Sequence, residues 1–407
     1  MRRLLGRAFP SLSVRNFRLF IFGQAISLTG MWMQRLAQSW LVLELTGSGF
    51  AVGGVIAFQF LPVLLFALVG GIAADRIPKR GLLMSTQALA GILAVALGVL
   101  VALGQINVTV VYLFAFGLGV TDAFDNPTRQ AFITEIVGTG NVANAVGVFS
   151  VVLNSARIIG PALAGVLIAS LGIAWCFLLN GASYFVLFAM LVALRAGELG
   201  SIPVPVKGTP HLGPLFAHVW AKAELKVPLI LIALVSTFSY EFDVVLPLAA
   251  RFVFGGTAGT LGAMFAVMGV GSVVGGVVAA SRDRKPNRLS FVTAAFAVSL
   301  IAAAAAPTLW LELGVLFFAG ASVTGLIVEG NVLLQLHSRP EFRGRVLALR
   351  AIAFFGTRPL GAPIIGWIGE IFGARTALLV GGVVAAGVSW WARATLNRPL
   401  EMAGPDE

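Results

Sequence analysis

Residues 49–80 read GFAVGGVIAFQFLPVLLFALVGGIAADRIPKR, and this stretch decides the fold. From Gly49 to Ala74 there is no charged residue, and then Asp75, Arg76, Lys79 and Arg80 arrive together. A bilayer core about 30 Å thick needs ~20 consecutive apolar residues at ~1.5 Å of helix each. The segment is long enough to span one, and charge stops it on the far side. Runs of the same kind recur at residues 17–45, 82–103, 108–128, 143–170 and 174–194, and again at 227–250, 258–280, 289–310, 313–335, 346–371 and 374–396. With 49–74 they make twelve predicted spans, six on either side of a polar stretch.

Composition points the same way. The chain has 407 residues, 58% apolar and 11% charged, with a mean hydropathy of +0.95, whereas a soluble domain carries about 25% charged residues. Twelve spans take up roughly 260 residues, which excludes a large soluble domain. The expected architecture is an all-α integral membrane protein with an N-terminal six-helix half (1–194) and a C-terminal six-helix half with a short tail (227–407). Between them lies a cytoplasmic linker (195–226), whose short amphipathic helix would place Phe216, Val219 and Trp220 on one apolar face. The 48 Gly residues suit a bundle in which small residues let backbones approach. The single cysteine, Cys176, excludes an intrachain disulfide.

The formal net charge of +11 would suggest nucleic-acid binding in a soluble protein. Topology explains it instead. With the N-terminus inside, 22 of the 28 Lys and Arg fall in cytoplasmic segments and two, Arg251 and Arg375, in outer loops. That bias sets the orientation, both termini cytoplasmic, with the cations facing anionic lipid. Trp40, Trp175, Trp310 and Trp367 then fall near outer span ends, as an aromatic belt requires.

The chain repeats itself. A shift of 201 residues aligns Arg157 with Arg358, Gly160 with Gly361, Gly165 with Gly366, Gly172 with Gly373 and Gly181 with Gly382, with no gap. Gly70-Gly71 at the end of span two is echoed by Gly275-Gly276 at the end of span eight, and Asn126-x-x-x-Gln130 by Asn331-x-x-x-Gln335. Spans one and seven both start inside, so the halves are parallel repeats. In transporters built this way the substrate site lies near the midplane between the halves, which rock against each other.

Gly71-x-x-x-Asp75-Arg76-x-Pro78-Lys79-Arg80 resembles the loop between spans two and three of the major facilitator superfamily, with Pro78 in place of the usual Gly. The resemblance implies that Asp75, with Arg76, Arg80 and Arg129, holds a cytoplasmic gate; the same cations also enforce topology. Gly147-x8-Ala156-x3-Gly160-Pro161-x-x-Ala164-Gly165 resembles the span-five motif of proton-coupled exporters, with Ala at two Gly positions. Packing by Gly160, Pro161, Gly165, Gly361 and Gly366 explains these residues equally well. Arg15-Asn16-Phe17-Arg18, Trp32-Met33-Gln34, Asp125-Asn126-Pro127-Thr128-Arg129-Gln130 and Arg343-Gly344-Arg345 are similar to bacterial exporters that include enterobactin exporters and macrolide efflux proteins. This implies outward movement of a small organic molecule driven by proton entry, across a bacterial cytoplasmic membrane.

An ionised residue at the bilayer centre costs about 2.5–3.5 kcal/mol on insertion scales and should face a cavity or a partner. Arg35, Arg157 and Arg358 lie well inside their spans, together roughly 8–10 kcal/mol if left unpaired in lipid. The available carboxylates are Asp122 and Asp125 in span four, Glu241 and Asp243 midway along span seven, and Glu329 in span ten. In the superfamily, spans one, four, seven and ten line the central cavity, where a carboxylate can load and release a proton; Gln38 completes the candidates. Two residues apart on a helix, Glu241 and Asp243 would point about 200° from each other, so one is expected to face the cavity, and Asp243 is preferred, alongside Asp125 and Glu329. Asp125 and Arg129 also read as an i, i+4 pair supporting the fold. Arg157 and Arg358 read either as structural pairs or as a site for an anionic substrate or for coupling.

A membrane enzyme would need more than Asp122-x-x-Asp125, which has no second acidic cluster of that kind. His211, His218 and His337 lack metal-ligand spacing, and no Lys is followed by Ser or Thr, so there is no P-loop. No metal, cofactor or nucleic acid is expected; the expected partners are a small-molecule substrate, protons and membrane lipids, with the protein monomeric. A lipid or lysolipid transporter and an uptake symporter are the open alternatives.

Overall fold

The computed structural model describes residues 9–200, 212–281, 287–340 and 342–396. Both terminal tails, whose cytoplasmic placement was expected, lie outside the described residues, as does the middle of the linker with His211. In the first half the long helices are α1 (Arg15–Thr46), α2 (Gly49–Arg76), α3 (Lys79–Ala102), α4 (Val108–Val137), α5 (Val142–Ser170) and α6 (Ala174–Val192). The linker ends in α7 (Leu212–Ala221). The second half comprises α8 (Ala223–Phe238), α9 (Phe242–Leu248), α10 (Ala258–Ser281), α11 (Arg288–Ala305), α12 (Leu309–His337), α13 (Arg343–Phe355), α14 (Arg358–Phe372) and α15 (Ala374–Leu396).

Eleven helical stretches among the described residues are long and apolar enough to cross a membrane, with α8–α9 and α13–α14 each forming one. The remaining long helix, α1, is 32 residues but more polar, because Asn16, Gln24, Ser27, Gln34, Gln38 and Ser39 line its buried face. It packs on α5 and α6, so those amides and hydroxyls are turned away from lipid. Trp40, expected in an aromatic belt, is instead buried, and its indole N–H donates to Glu44 at 2.7 Å.

Within each half the second span packs on the fourth, α2 on α4 and α10 on α12. The halves meet along two seams, α2 with α14 and α5 with α10. A two-fold rotation that carries span two to span eight and span five to span eleven exchanges these seams, as parallel repeats require. The aligned glycines do matching jobs. A Cβ on Gly160 would stand 2.7 Å from the Thr29 carbonyl oxygen of α1, and one on Gly361 2.2 Å from that of Thr237 in α8. Their neighbours face the other half: a Cβ on Gly366 would meet the Gly49 carbonyl at 2.2 Å, and one on Gly165 would lie 3.1 Å from Gly259 Cα. Such backbone contact has room for hydrogen only.

Both seams are tight at the end that carries the α1–α2 loop. There the Glu370 carboxylate of α14 accepts hydrogen bonds from Ser48 Oγ (2.5 Å) and the Phe50 amide (3.0 Å), capping the N-terminus of α2 across the seam. At the opposite end Asp75 and Arg76 are exposed and hold no ion pair among the described residues. The linker helix docks differently from expectation. Leu215 and Val219 are buried with His218, while Phe216 and Trp220 are exposed. Only Val219 of the three anticipated residues belongs to the docking face, because the partner of α7 is the α8–α12–α13 corner around Leu225, Leu334 and Val346. Phe216 and Trp220, one turn apart, form a separate outward stripe.

Candidate functional site

Spans seven and eleven are both broken, and the breaks face each other. The seventh stops at Phe238 and resumes at Phe242, leaving Ser239, Tyr240 and Glu241 outside helix. Ser239 Oγ donates to the Gly381 carbonyl at 2.7 Å, holding the break against α15. The eleventh span stops at Phe355 because Pro359, lacking an N–H, cannot continue the helical ladder to the Phe355 carbonyl. Ser236 Oγ instead bonds the neighbouring Phe354 carbonyl at 2.5 Å. Broken helices are tolerated at membrane depth where protein or a cavity satisfies the freed groups.

Arg358 is the first residue of α14 and reaches into the gap left by span seven. Its guanidinium donates to Glu241 (Nη2–Oε2 3.1 Å, Nε–Oε1 3.4 Å) and to Asp243 Oδ2 at 2.7 Å. Arg358 is 4% exposed, Glu241 0% and Asp243 19% by side chain. This corrects the expectation that only one of the two carboxylates could face the site. The 200° separation holds for a continuous helix, and here Glu241 precedes α9 with φ −91° and ψ 45°, which brings both acids to one cation.

The N-terminal half contributes a second pair, Arg35 Nη2 to Asp122 Oδ2 at 3.5 Å. Aromatic rings link these cations. Arg35 Cζ lies 5.0 Å from the Trp32 ring centre and 5.7 Å from that of Phe60, and Arg358 Cζ lies 4.6 Å from Phe60 on the opposite side of the domain boundary. Phe60 also stacks on Phe355 at 5.9 Å, with planes 11° apart. Arg157 of α5 sits 4.8 Å from Trp32 and has no carboxylate partner among the described residues. The sequence repeat that pairs Arg157 with Arg358 therefore stops at the side chain, Arg358 opening the second part of a broken helix between two acids and Arg157 on an unbroken helix against an indole.

The other candidates lie elsewhere. Asp125 is turned into the N-terminal half, where it pairs with Arg129 and accepts from Thr86 Oγ1 (2.9 Å) and Gln87 Nε2 (2.7 Å) of α3. Glu329 pairs with Arg288 of α11 at 2.9 Å, away from the Arg358 cluster. Gln38 is buried one turn along α1 from Arg35. Arg80 donates to the Leu191 (2.8 Å) and Val192 (2.9 Å) carbonyls at the C-terminus of α6, and Lys79 pairs with Glu135 at 2.7 Å, so both bind within their own half. His218 packs on the Phe342 ring at 5.1 Å, and His337 Nδ1 lies 3.1 Å from the Leu333 carbonyl. Sequence reasoning noted Trp32 only within an exporter-like stretch, not as a site residue, and missed Phe60 and Phe355. Their only signal was position, Trp32 standing one turn before Arg35, and isolated aromatics in apolar helices are too common to single out.

Comparison with known proteins agrees with this fold. A family model described as transmembrane secretion effector matches residues 7–399. The chain is 23% identical over 371 residues to the staphyloferrin A transporter of Staphylococcus aureus, covering 89% of this chain and 92% of the relative. It is 22% identical over 376 residues to the enterobactin exporter EntS of Salmonella paratyphi A, covering 90% and 88%. Among solved structures, a POT family transporter in complex with 5-aminolevulinic acid superposes with a TM-score of 0.77 at 11% identity, covering 94% of this chain and 97% of that one. An all-helical bundle of two pseudo-symmetric halves and a family match over nearly the whole length place this multi-pass membrane protein in the transmembrane secretion effector family of the major facilitator superfamily.

Proposed function

We propose that the chain is a proton-driven exporter of a small organic molecule, such as a siderophore or drug. It works as a monomer by rocker-switch alternating access in a bacterial cytoplasmic membrane, with both termini inside and α1 as the twelfth span; it makes and breaks no covalent bond. The observation that carries this reading is the Arg358 cluster, two carboxylates on one guanidinium between two broken helices. Asp243 is the more exposed of the acids. A proton arriving there removes one of the arginine's charge-assisted bonds, and substrate or a rearranged Glu241 must replace it. The tight seam at the α1–α2 end and the unlatched Asp75 end support a state open to the cytoplasm, ready to load substrate. The relatives' names, enterobactin exporter among them, support outward movement.

Everted membrane vesicles containing the protein are expected to take up substrate when energised and to lose that uptake on adding an uncoupler. Uptake indifferent to the uncoupler would remove proton coupling. Uptake only by right-side-out vesicles would reverse the direction.

A further inference from the structure

Around Trp32 the unmet hydrogen-bonding groups are all donors. The Trp32 indole N–H, Arg35 Nε and Arg157 Nε are each buried without a partner, although the three side chains as a whole are only half-buried. Arg35 and Arg157 lie on the same indole, both guanidinium carbons within 5.0 Å of its centre. Arg35 has Asp122 beside it and Arg358 has Glu241 and Asp243, but Arg157 has no carboxylate among the described residues. Buried donors left unmatched cost free energy, and native proteins satisfy most of them with protein, water or ligand. A cluster that holds unmatched buried N–H groups and a cation with no carboxylate partner among the described residues selects for negative charge carried on oxygen. Its walls select for shape. Trp32 is a half-buried ring and Phe355 an exposed one, and the buried Phe60, which shares Arg35 with Trp32, stacks on Phe355 of the other half, so a planar body inserted here touches both halves at once.

We propose that Arg157, Trp32 and Arg35 form a binding site for an organic anion with a flat aromatic body, its oxyanion on Arg157 and its ring against the Trp32–Phe60–Phe355 wall. This deepens the transport reading and rests on it for the idea that the bound anion is cargo. Arg157 supplies the charge preference, Trp32 the preference for flat molecules. Arg358, already held by two acids, borders the site without donating to the ligand.

The test is binding, which does not depend on transport. Four matched probes are titrated calorimetrically into the full chain in nanodiscs: 2-naphthoate, the neutral 2-naphthalenemethanol, the cationic 2-naphthylmethylammonium and the non-aromatic cyclohexanecarboxylate. Naphthoate is expected to bind at least about tenfold more tightly than each of the other three. Arg157→Gln should reduce naphthoate affinity to that of the alcohol, Arg157→Lys should retain most of the difference, and Trp32→Leu should weaken all three naphthyl probes. The melting temperature of each variant separates loss of site from loss of fold. Equal or tighter binding of the alcohol or the ammonium probe to the wild-type protein overturns the proposal, as does an undiminished anion preference in folded Arg157→Gln. Anion-selective binding with no vesicle uptake in either orientation would leave this site standing and remove the transport reading. Uptake of a substrate without anion preference would do the reverse.

Discussion

Arg358 and Arg157 occupy equivalent positions in the repeat but call for opposite behaviour on substitution. Removing Arg358 leaves Glu241, which is fully buried, without its cation, and breaking a buried pair in this way costs roughly 3–5 kcal/mol. Arg358→Met should therefore lower stability by about that amount in denaturant titrations of the detergent-solubilised protein, and Glu241→Gln in the same chain should restore much of the loss. If Arg358→Met alone were neutral, the cluster would not be a stabilising contact. Arg157 is half-buried, pairs with no acid among the described residues and contributes at most a cation–π contact, about 1–2 kcal/mol. Its loss is expected to show in ligand affinity far more than in unfolding. Their sequence contexts share an Arg followed three residues later by Gly, with a Pro one residue beyond it at Pro161 and two beyond it at Pro363. Which one meets carboxylates depends on a helix break 115 to 117 residues away in the chain, and local sequence does not contain that information.

At the scale of elements, helix existence follows from apolar run length, and the expected spans agree with the observed helices to within a few residues at most ends. Span four is the exception, running on to Val137 rather than 128, since its inner end is polar yet packs within its own half. Continuity did not follow from run length either. Pro359 marked one place where a ladder bond was missing, but a Pro also sits inside α2, α4, α5 and α9 without stopping them, and the span-seven break at residues 239–241 has no Pro of its own. A break persists where a neighbour meets its groups, as Ser236 does for the Phe354 carbonyl and as α15 does by accepting from Ser239. The α2–α14 seam has its own test. Glu370 places a carboxylate at the positive end of α2, and helix-terminus charges of this kind contribute about 1 kcal/mol. Glu370→Gln should shift the population roughly fivefold toward the state open at the α1–α2 end. The shift would be read as a longer distance between spin labels at Phe50→Cys and Phe372→Cys, both exposed positions, in a chain whose buried native Cys176 is replaced by alanine. An unchanged distance distribution would mean that the glycine contacts alone hold the seam.

For the whole molecule, alternating access requires that the end now unlatched can close. Asp75 has no ion pair among the described residues and is exposed, so Asp75→Asn should leave membrane insertion and the melting temperature of this state unchanged while reducing transport, because the proposed gate engages it only in the other state. Wild-type transport by that variant would refute the gate assignment. The sequence by itself determined the class of protein, the positions of its spans and the two-fold repeat, since a bilayer demands ~20 apolar residues per crossing and duplicated halves keep glycines wherever backbones must touch. It also singled out the few charges that fall inside apolar runs. Only the tertiary structure decided how those charges pair: that Glu241 and Asp243 share Arg358, that Asp125 and Glu329 turn to other helices, and that Arg157 rests on Trp32 with unmatched donors. The physical reason is the range of the forces involved. Hydrophobic burial is legible along the chain because it acts on each segment separately, whereas an ion pair or a stacked ring depends on angstrom-scale placement of residues far apart in sequence, set by where helices break and which faces they turn inward.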